Sequence, residues 1–295
     1  MSVTAQAVKE LRERTGAGMM ECKKALVEVD GDLGAAVELL RKSGLAKADK
    51  KAGRIAAEGV VVIETTADGK SAAIVEVNSE TDFVAREPYF QGFAAAVAKA
   101  ALESEPANLE ELSATVLPSG KTIEETRREL VARIGENIGV RRFEVARTQA
   151  RLVPYVHGTR IGALVALEGG DDSLGRDLAM HIAAINPQYV SVDRVPADFL
   201  AKEREIEIAK AEAEAQGRKP KDIIEKMVDG RLRKSLAEIT FLGQPFVRDP
   251  DITVEKLLEQ KNARVLDFLR YEVGAGIEKK QENFAEEVMA QVRGA

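Results

Sequence analysis

Over the first 45 residues, apolar positions recur at helical spacing in three short stretches. Thr4 is placed to cap a helix with Val8 and Leu11 on one face, and that run stops at "TGAG". The next stretch sets Cys22, Ala25, Leu26 and Val29 on one stripe; Met19 falls on the same stripe, and Met20 lies about 100° away from it. Asp32 opens a third helix, in which Leu33, Ala36, Val37 and Leu40 repeat the helical pattern and Gly44 supplies the stop. The pattern predicts a three-helix N-terminal module over residues 1–45. The segment after it, "RKSGLAKADKKAGR", sets six positive residues against Asp49 alone and reads as an exposed, helix-poor connection, with residues 46–55 as a basic linker.

Beyond the linker the apolar period shortens towards two. "IAAEGVVVIETT" and "SAAIVEV" are strand-like, and Asp68-Gly69 between them signals a hairpin. Pro88 is placed at a helix start leading into "YFQGFAAAVAKAAL"; a further helix is expected over Ile123 to Ile134, then a strand in "VRRFEVARTQ". The same order recurs at the level of pattern: "RLVPYVHG" and "RIGALVALEG" form a second hairpin about His157-Gly158, followed by a helix through "LGRDLAMHIAAI". A charged segment broken by "QGRKPKD" then reads as a helical hairpin, before "TVEKLLEQ" and the strand-like "ARVLDFLRYEVG" complete the second copy. The fold class expected is α+β: a core of two related α+β subdomains with antiparallel sheets, over 56–149 and over 150–195 plus 238–274. An inserted helical hairpin is expected at 196–237 and a C-terminal helix at 275–295, with Phe284, Val288 and Val292 on one side.

Composition narrows the function classes. With 43 basic and 49 acidic residues the net charge is −6, against broad electrostatic capture of nucleic acid. No apolar run approaches the roughly twenty residues that cross a bilayer, and a single cysteine excludes an internal disulfide, so a cytoplasmic location is expected. There is no GxxxxGK[ST] loop, and His157 and His181 lack a metal-ligand pattern; neither a cofactor nor a metal is expected. Cys22 reads either as a buried core residue or, beside Lys23 and Lys24, as a nucleophile. Met20 reads either as an extra core residue or as part of a partner surface. In "NSETDFVARE", Phe83 is an aromatic where the chain normally meets water: it is either folded back under the helix that Pro88 starts, or presented to a partner.

"LRERTGAGMMECKKAL" and "EVNSETDFVA", followed in order by "HGTRIGALV", "MHIAA", "GQPFV" and "YEVGAGIEK", strongly resemble the elongation factor Ts family across nearly the whole chain. Ser79 departs from the family pattern, where cysteine is expected, without touching the TDFV core. The resemblance implies an exchange factor that binds GDP-bound elongation factor Tu and promotes GDP release, without covalent catalysis. It implies an N-terminal module similar to a ubiquitin-associated domain and a homodimer through the helical hairpin. On the family's pattern, Thr81, Asp82, Phe83 and Val84 would disturb the Mg²⁺ site of Tu, with Asp82 and Phe83 as the intruding pair. Arg12, Met19, Met20, Ile134, Gly135 and His157 would contact the partner. Two other classes stay open on the residues alone: an RNA-binding protein using Lys47, Lys50 and Lys51, and a thiol enzyme centred on Cys22.

Overall fold

A computed structural model describes residues 3–216 and 220–278. Thr4 caps α1 (Ala5–Thr15) by accepting the Ala7 N–H at 3.1 Å, and Gly16 ends it in the left-handed conformation. α2 (Met19–Glu28) follows, and Asp32 caps α3 (Leu33–Lys51) through the Ala35 N–H at 3.0 Å. Val8, Leu11, Cys22, Ala25, Leu26 and Ala36 bury together as the core of these helices. A hairpin of β1 (Glu58–Thr65) and β2 (Ser71–Ser79) comes next, its turn held by Thr66, Asp68 and the left-handed Gly69. Then come α4 (Asp82–Ala85), α5 (Pro88–Ser104), α6 (Leu109–Ala114), α7 (Ile123–Ile134) and β3 (Ile138–Arg147). The remainder is β4 (Arg151–His157), β5 (Ile161–Gly169), α8 (Asp172–Ile185), α9 (Ala197–Ala215), α10 (Lys221–Ile239), β6 (Pro245–Phe246), β7 (Asp249–Thr253), α11 (Val254–Gln260) and β8 (Ala263–Glu272).

The fold is α+β with small sheets. One has the order β1-β2-β3 and another β4-β5-β8, so each sets a hairpin beside a third strand that follows the helices; β6 and β7 pair separately. The described residues of 1–61, 75–143 and 272–295 make one compact unit, and 62–74 with 144–271 make the other. In the second unit β5 is buried on both faces. Ala163, Val165 and Leu167 pack with α8 residues Leu178 and Ile182 and with Phe241, while Leu164 and Ala166 pack with Leu152 and Ala72. α9 and α10 form the expected helical hairpin, which runs to Ile239 rather than 237, with Ala211, Ala215 and Val228 buried. His181 is buried there, accepting the Val247 N–H on Nδ1 at 3.1 Å and facing Gln244 Oε1 from Nε2 at 2.9 Å. Those bonds fix the neutral tautomer with its proton on Nε2, a structural role.

Three expectations need correcting or lie elsewhere. Gly44 is not a helix stop: α3 continues through it to Lys51, so most of the basic stretch is helical rather than a helix-poor connection. The reason is packing. A Cβ on Gly44 would stand 2.9 Å from the Ala132 side chain of α7, so the glycine serves close approach of two helices within the first unit. Within that unit Arg41 pairs with Glu125 at 3.5 Å, Lys51 donates to the Gly135 carbonyl and Arg54 pairs with Glu80 at 3.4 Å, while Asp49 takes Arg128 at 3.0 Å. The short α6 and the β6–β7 pair were not expected, being too brief to show a period. The expected C-terminal helix with Phe284, Val288 and Val292 lies outside the described residues.

Glu76 of β2 is fully buried yet ionised. Burial alone would raise its pKa, but the Gly274 N–H at 2.8 Å, Arg141 at 3.0 Å, Arg142 at 2.6 Å and the Asn78 amide at 3.1 Å together hold it below the ordinary carboxylate value.

Two predictions follow from these contacts. Gly44→Leu improves intrinsic helix propensity, yet it is expected to lower stability by about 1–3 kcal/mol through overpacking against Ala132. Thermal unfolding checks this, and Ala132→Gly in the same chain should recover part of the loss. Stability should also decline with acid in two windows. His181, whose pKa burial lowers despite Gln244, takes its proton in the unfolded chain first, so its contribution fades as pH falls below 6.5. Glu76 likewise stays charged in the fold while the unfolded chain protonates, so its contribution fades below 4.5. Denaturant titrations across that range, with NMR on the His181 ring, read both.

Candidate functional site

β2 ends at Ser79 and the chain turns directly into the four-residue α4. Thr81 caps this turn from an extended conformation, its hydroxyl accepting the Val84 N–H at a long 3.5 Å. Val84 and Ala85 face inward, whereas Phe83 is 79% exposed, the most exposed large apolar side chain in the described structure. The alternative in which Phe83 folds beneath the following helix is therefore overturned. That helix begins just after, with Glu87 accepting the Tyr89 and Phe90 N–H groups at 2.8 and 3.1 Å and Pro88 in its first turn. Asp82 pairs with Arg86 at 3.0 Å, an exposed pair of small energetic weight.

The loop is held from outside by the residues that follow α7. Glu136 accepts from both the Thr81 N–H at 2.9 Å and the Thr81 hydroxyl at 2.6 Å. In return Glu80 accepts the Asn137 N–H at 2.6 Å, while the Asn137 amide donates to the carbonyls of Ala52 and Arg54 at 3.3 and 2.7 Å. Ile134 and Gly135, half-buried, thus sit immediately before the clamp: Gly135 ends α7 with a φ of 91° and its N–H returns to the Val131 carbonyl. The same helix end reaches another predicted residue set. Arg133 lies 3.2 Å above the Tyr89 ring, and its side chain is the nearest neighbour of Gly16, in the turn before Met19.

Met19 and Met20 are 60% and 64% exposed. For Met20 this selects the surface over the core. For Met19 it corrects the stripe, which starts at Cys22; as the first residue of α2, Met19 points back past the helix end, where there is no preceding turn to cover it. Arg12 is exposed one position beyond the buried Leu11. His157 is also exposed, its Nδ1 3.2 Å from the Tyr155 hydroxyl, but it belongs to the second unit and is not gathered with the others.

Other candidates are taken up by the fold. Cys22 is buried in the core of α1 to α3, away from the solvent that a nucleophile needs. A cavity of about 270 Å³ between α1 to α3 and α7 is lined by Arg14, Arg41, Lys121 and Arg128. Each of these four is already engaged, with Glu10, Glu125, Glu129 and Glu124 respectively, and Arg133, which also lines the cavity, lies over the Tyr89 ring. Sequence reasoning missed Glu80, Glu136, Asn137, Tyr89 and Arg133. The only signal was adjacency to "TDFV" and "ARIG", since partners so far apart in the chain leave no local period.

Comparison with known proteins bears on this arrangement. The family model described as Elongation factor TS matches residues 80–275, which begin at the clamped loop. The elongation factor Ts of Methylococcus capsulatus is 60% identical over 296 residues, covering 100% of both chains. That of Halorhodospira halophila is 60% identical with 99% of each chain covered, and that of Legionella pneumophila strain Paris is 54% identical with 99% covered. With such relatives matched over their full length and the family model spanning most of the chain, this protein belongs to the elongation factor Ts family of translation elongation factors.

Proposed function

We propose that the protein is a guanine-nucleotide exchange factor that binds GDP-bound elongation factor Tu in the cytoplasm and speeds GDP release without covalent chemistry. Family membership supplies the partner; the observation that supports the mechanism is Phe83, 79% exposed on a loop whose neighbours are tied down. A factor that binds nucleotide-free partner more tightly than the GDP form must weaken GDP by the same ratio. An aromatic wedge meets that requirement if the partner can bury it only after its own elements shift, because its apolar burial is then gained only in the shifted state.

Asp82 and Phe83 would enter the neighbourhood of the Mg²⁺ that Tu holds with GDP, with Thr81 and Val84 fixing them from either side. Hard-ion coordination tolerates little displacement, and a weakened ion leaves phosphate charge poorly neutralised. Arg12, Met19, Met20, Ile134 and Gly135 would supply further contacts from the first unit, methionine suiting an adaptable surface, and His157 a contact from the second. Self-association through α9 and α10 is part of the same proposal, supported by the exposed Ile206, Ile208 and Ile223 on those helices.

Release of a fluorescent GDP from purified Tu tests the reading. Catalytic amounts of the wild type should accelerate release, and Phe83→Ala should lose about tenfold or more of that effect while its thermal transition stays put. Acceleration by neither protein from an active cognate Tu would refute the exchange function; equal acceleration by both would remove Phe83 from it.

A further inference from the structure

The exposure of Phe83 poses a mechanical problem. A side chain with four-fifths of its surface in solvent is not oriented by its own packing. Nor can α4 supply the orientation, since four residues fall far short of a self-supporting helix and the Thr81 cap bond is long at 3.5 Å. Val84 and Ala85 are buried beside it and the Ser79 hydroxyl donates to the Thr81 carbonyl at 2.9 Å, and the charge-assisted bonds that tie the loop to a distant segment are those exchanged with the residues after Gly135. Glu136 receives two donors from Thr81, and Glu80 receives the Asn137 backbone N–H together with Arg54 at 3.4 Å. Each carboxylate spans from its own segment to the other segment's backbone, so neither segment can shift without breaking charge-assisted bonds.

We infer that Glu136, with Glu80 as its counterpart, is the positioning residue that presents Phe83 for nucleotide release. The inference rests on the reading of Phe83 as the wedge. A clamped loop enters the partner already ordered; an unclamped one must be ordered as it inserts, at a cost that falls on the release step. Initial association through the remaining contacts is unaffected. The signature is a lower maximal release rate at an unchanged half-saturating concentration.

The test is stopped-flow release of fluorescent GDP from Tu across a range of concentrations of the full chain, with variants beside the wild type. Glu136→Ala should lower the maximal rate about tenfold and leave half-saturation within about twofold. Glu136→Gln should retain most of the rate: its amide oxygen still takes the Thr81 N–H, and its NH₂ can donate to the Thr81 hydroxyl. Glu136→Ala combined with Phe83→Ala should be no slower than Phe83→Ala alone, because a positioning residue has nothing left to position. If Glu136→Ala loses its thermal transition, Thr81→Val removes the hydroxyl half of the same clamp and should show a smaller loss of the same kind.

An unchanged maximal rate in Glu136→Ala overturns the inference, as does a loss that adds in full to that of Phe83→Ala. Wild-type protein that fails to accelerate release overturns the exchange function instead. Wild-type acceleration that Phe83→Ala retains overturns the wedge, and this inference with it.

Discussion

The left-handed turn at Gly135 is the constraint on which the arrangement around Phe83 in the first unit depends. α7 has carried the chain along α3, packed tightly enough that Gly44 has no room for a side chain opposite Ala132. A non-glycine residue at a φ of 91° would be strained, and without that turn the residues beyond would continue the helix. Instead the Gly135 carbonyl is freed for Lys51 at the end of α3, and Glu136 and Asn137 are delivered to residues 80 and 81. One backbone conformation thus anchors the N-terminal helices and the Phe83 loop to the same point. Arg133, a residue before the helix ends, adds the link to Tyr89 and the turn at Gly16.

Beneath the loop lies a costlier device. Glu76 is two positions before Asn78 on the strand that leads to Phe83, and burying a carboxylate there is unfavourable unless its lone pairs are met. Two arginines, an amide and a backbone N–H meet them, and the depressed pKa means that the charge persists at neutral pH. The same arginines reach onward to the carbonyls of Glu272 and Ala275, and Gly274 approaches the Ala57 carbonyl so closely that a Cβ would stand 2.3 Å from it. Such a network is directional where apolar packing is not, and it fixes the β2 register at the base of the loop together with the point where the chain leaves β8.

Much of this was legible in the residues and the rest was not, for identifiable reasons. The caps at Thr4 and Asp32, the Asp68-Gly69 hairpin, the Pro88 start and the limits of α7 follow from local rules, and the strand-like runs formed strands although β2 and β5 are buried on both faces rather than alternating. Gly44 misled because a glycine that ends a helix and one that admits a neighbouring helix look alike in one dimension. Met19 misled because helical spacing takes no account of where a helix begins. Phe83 was visible as an anomaly, and the family resemblance gave it a task. Glu136 was invisible, since its partner is 55 residues away and no period connects them.

That division reflects what the wedge role proposed for Phe83 requires. Burying a phenylalanine side chain is worth about 1.5–3 kcal/mol, and this is available to a partner only if the protein's own core has not already taken it. Phe83 must therefore be left out of the packing that normally orders a side chain. Its orientation has to come from bonds that consume none of its apolar surface, and carboxylates gripping the adjacent backbone meet that condition. Residues that do the holding are polar, non-local and silent in periodicity, while the residue that is held stands out. In such a chain the exposed aromatic is found first and the carboxylates that hold its loop only once the chain is folded.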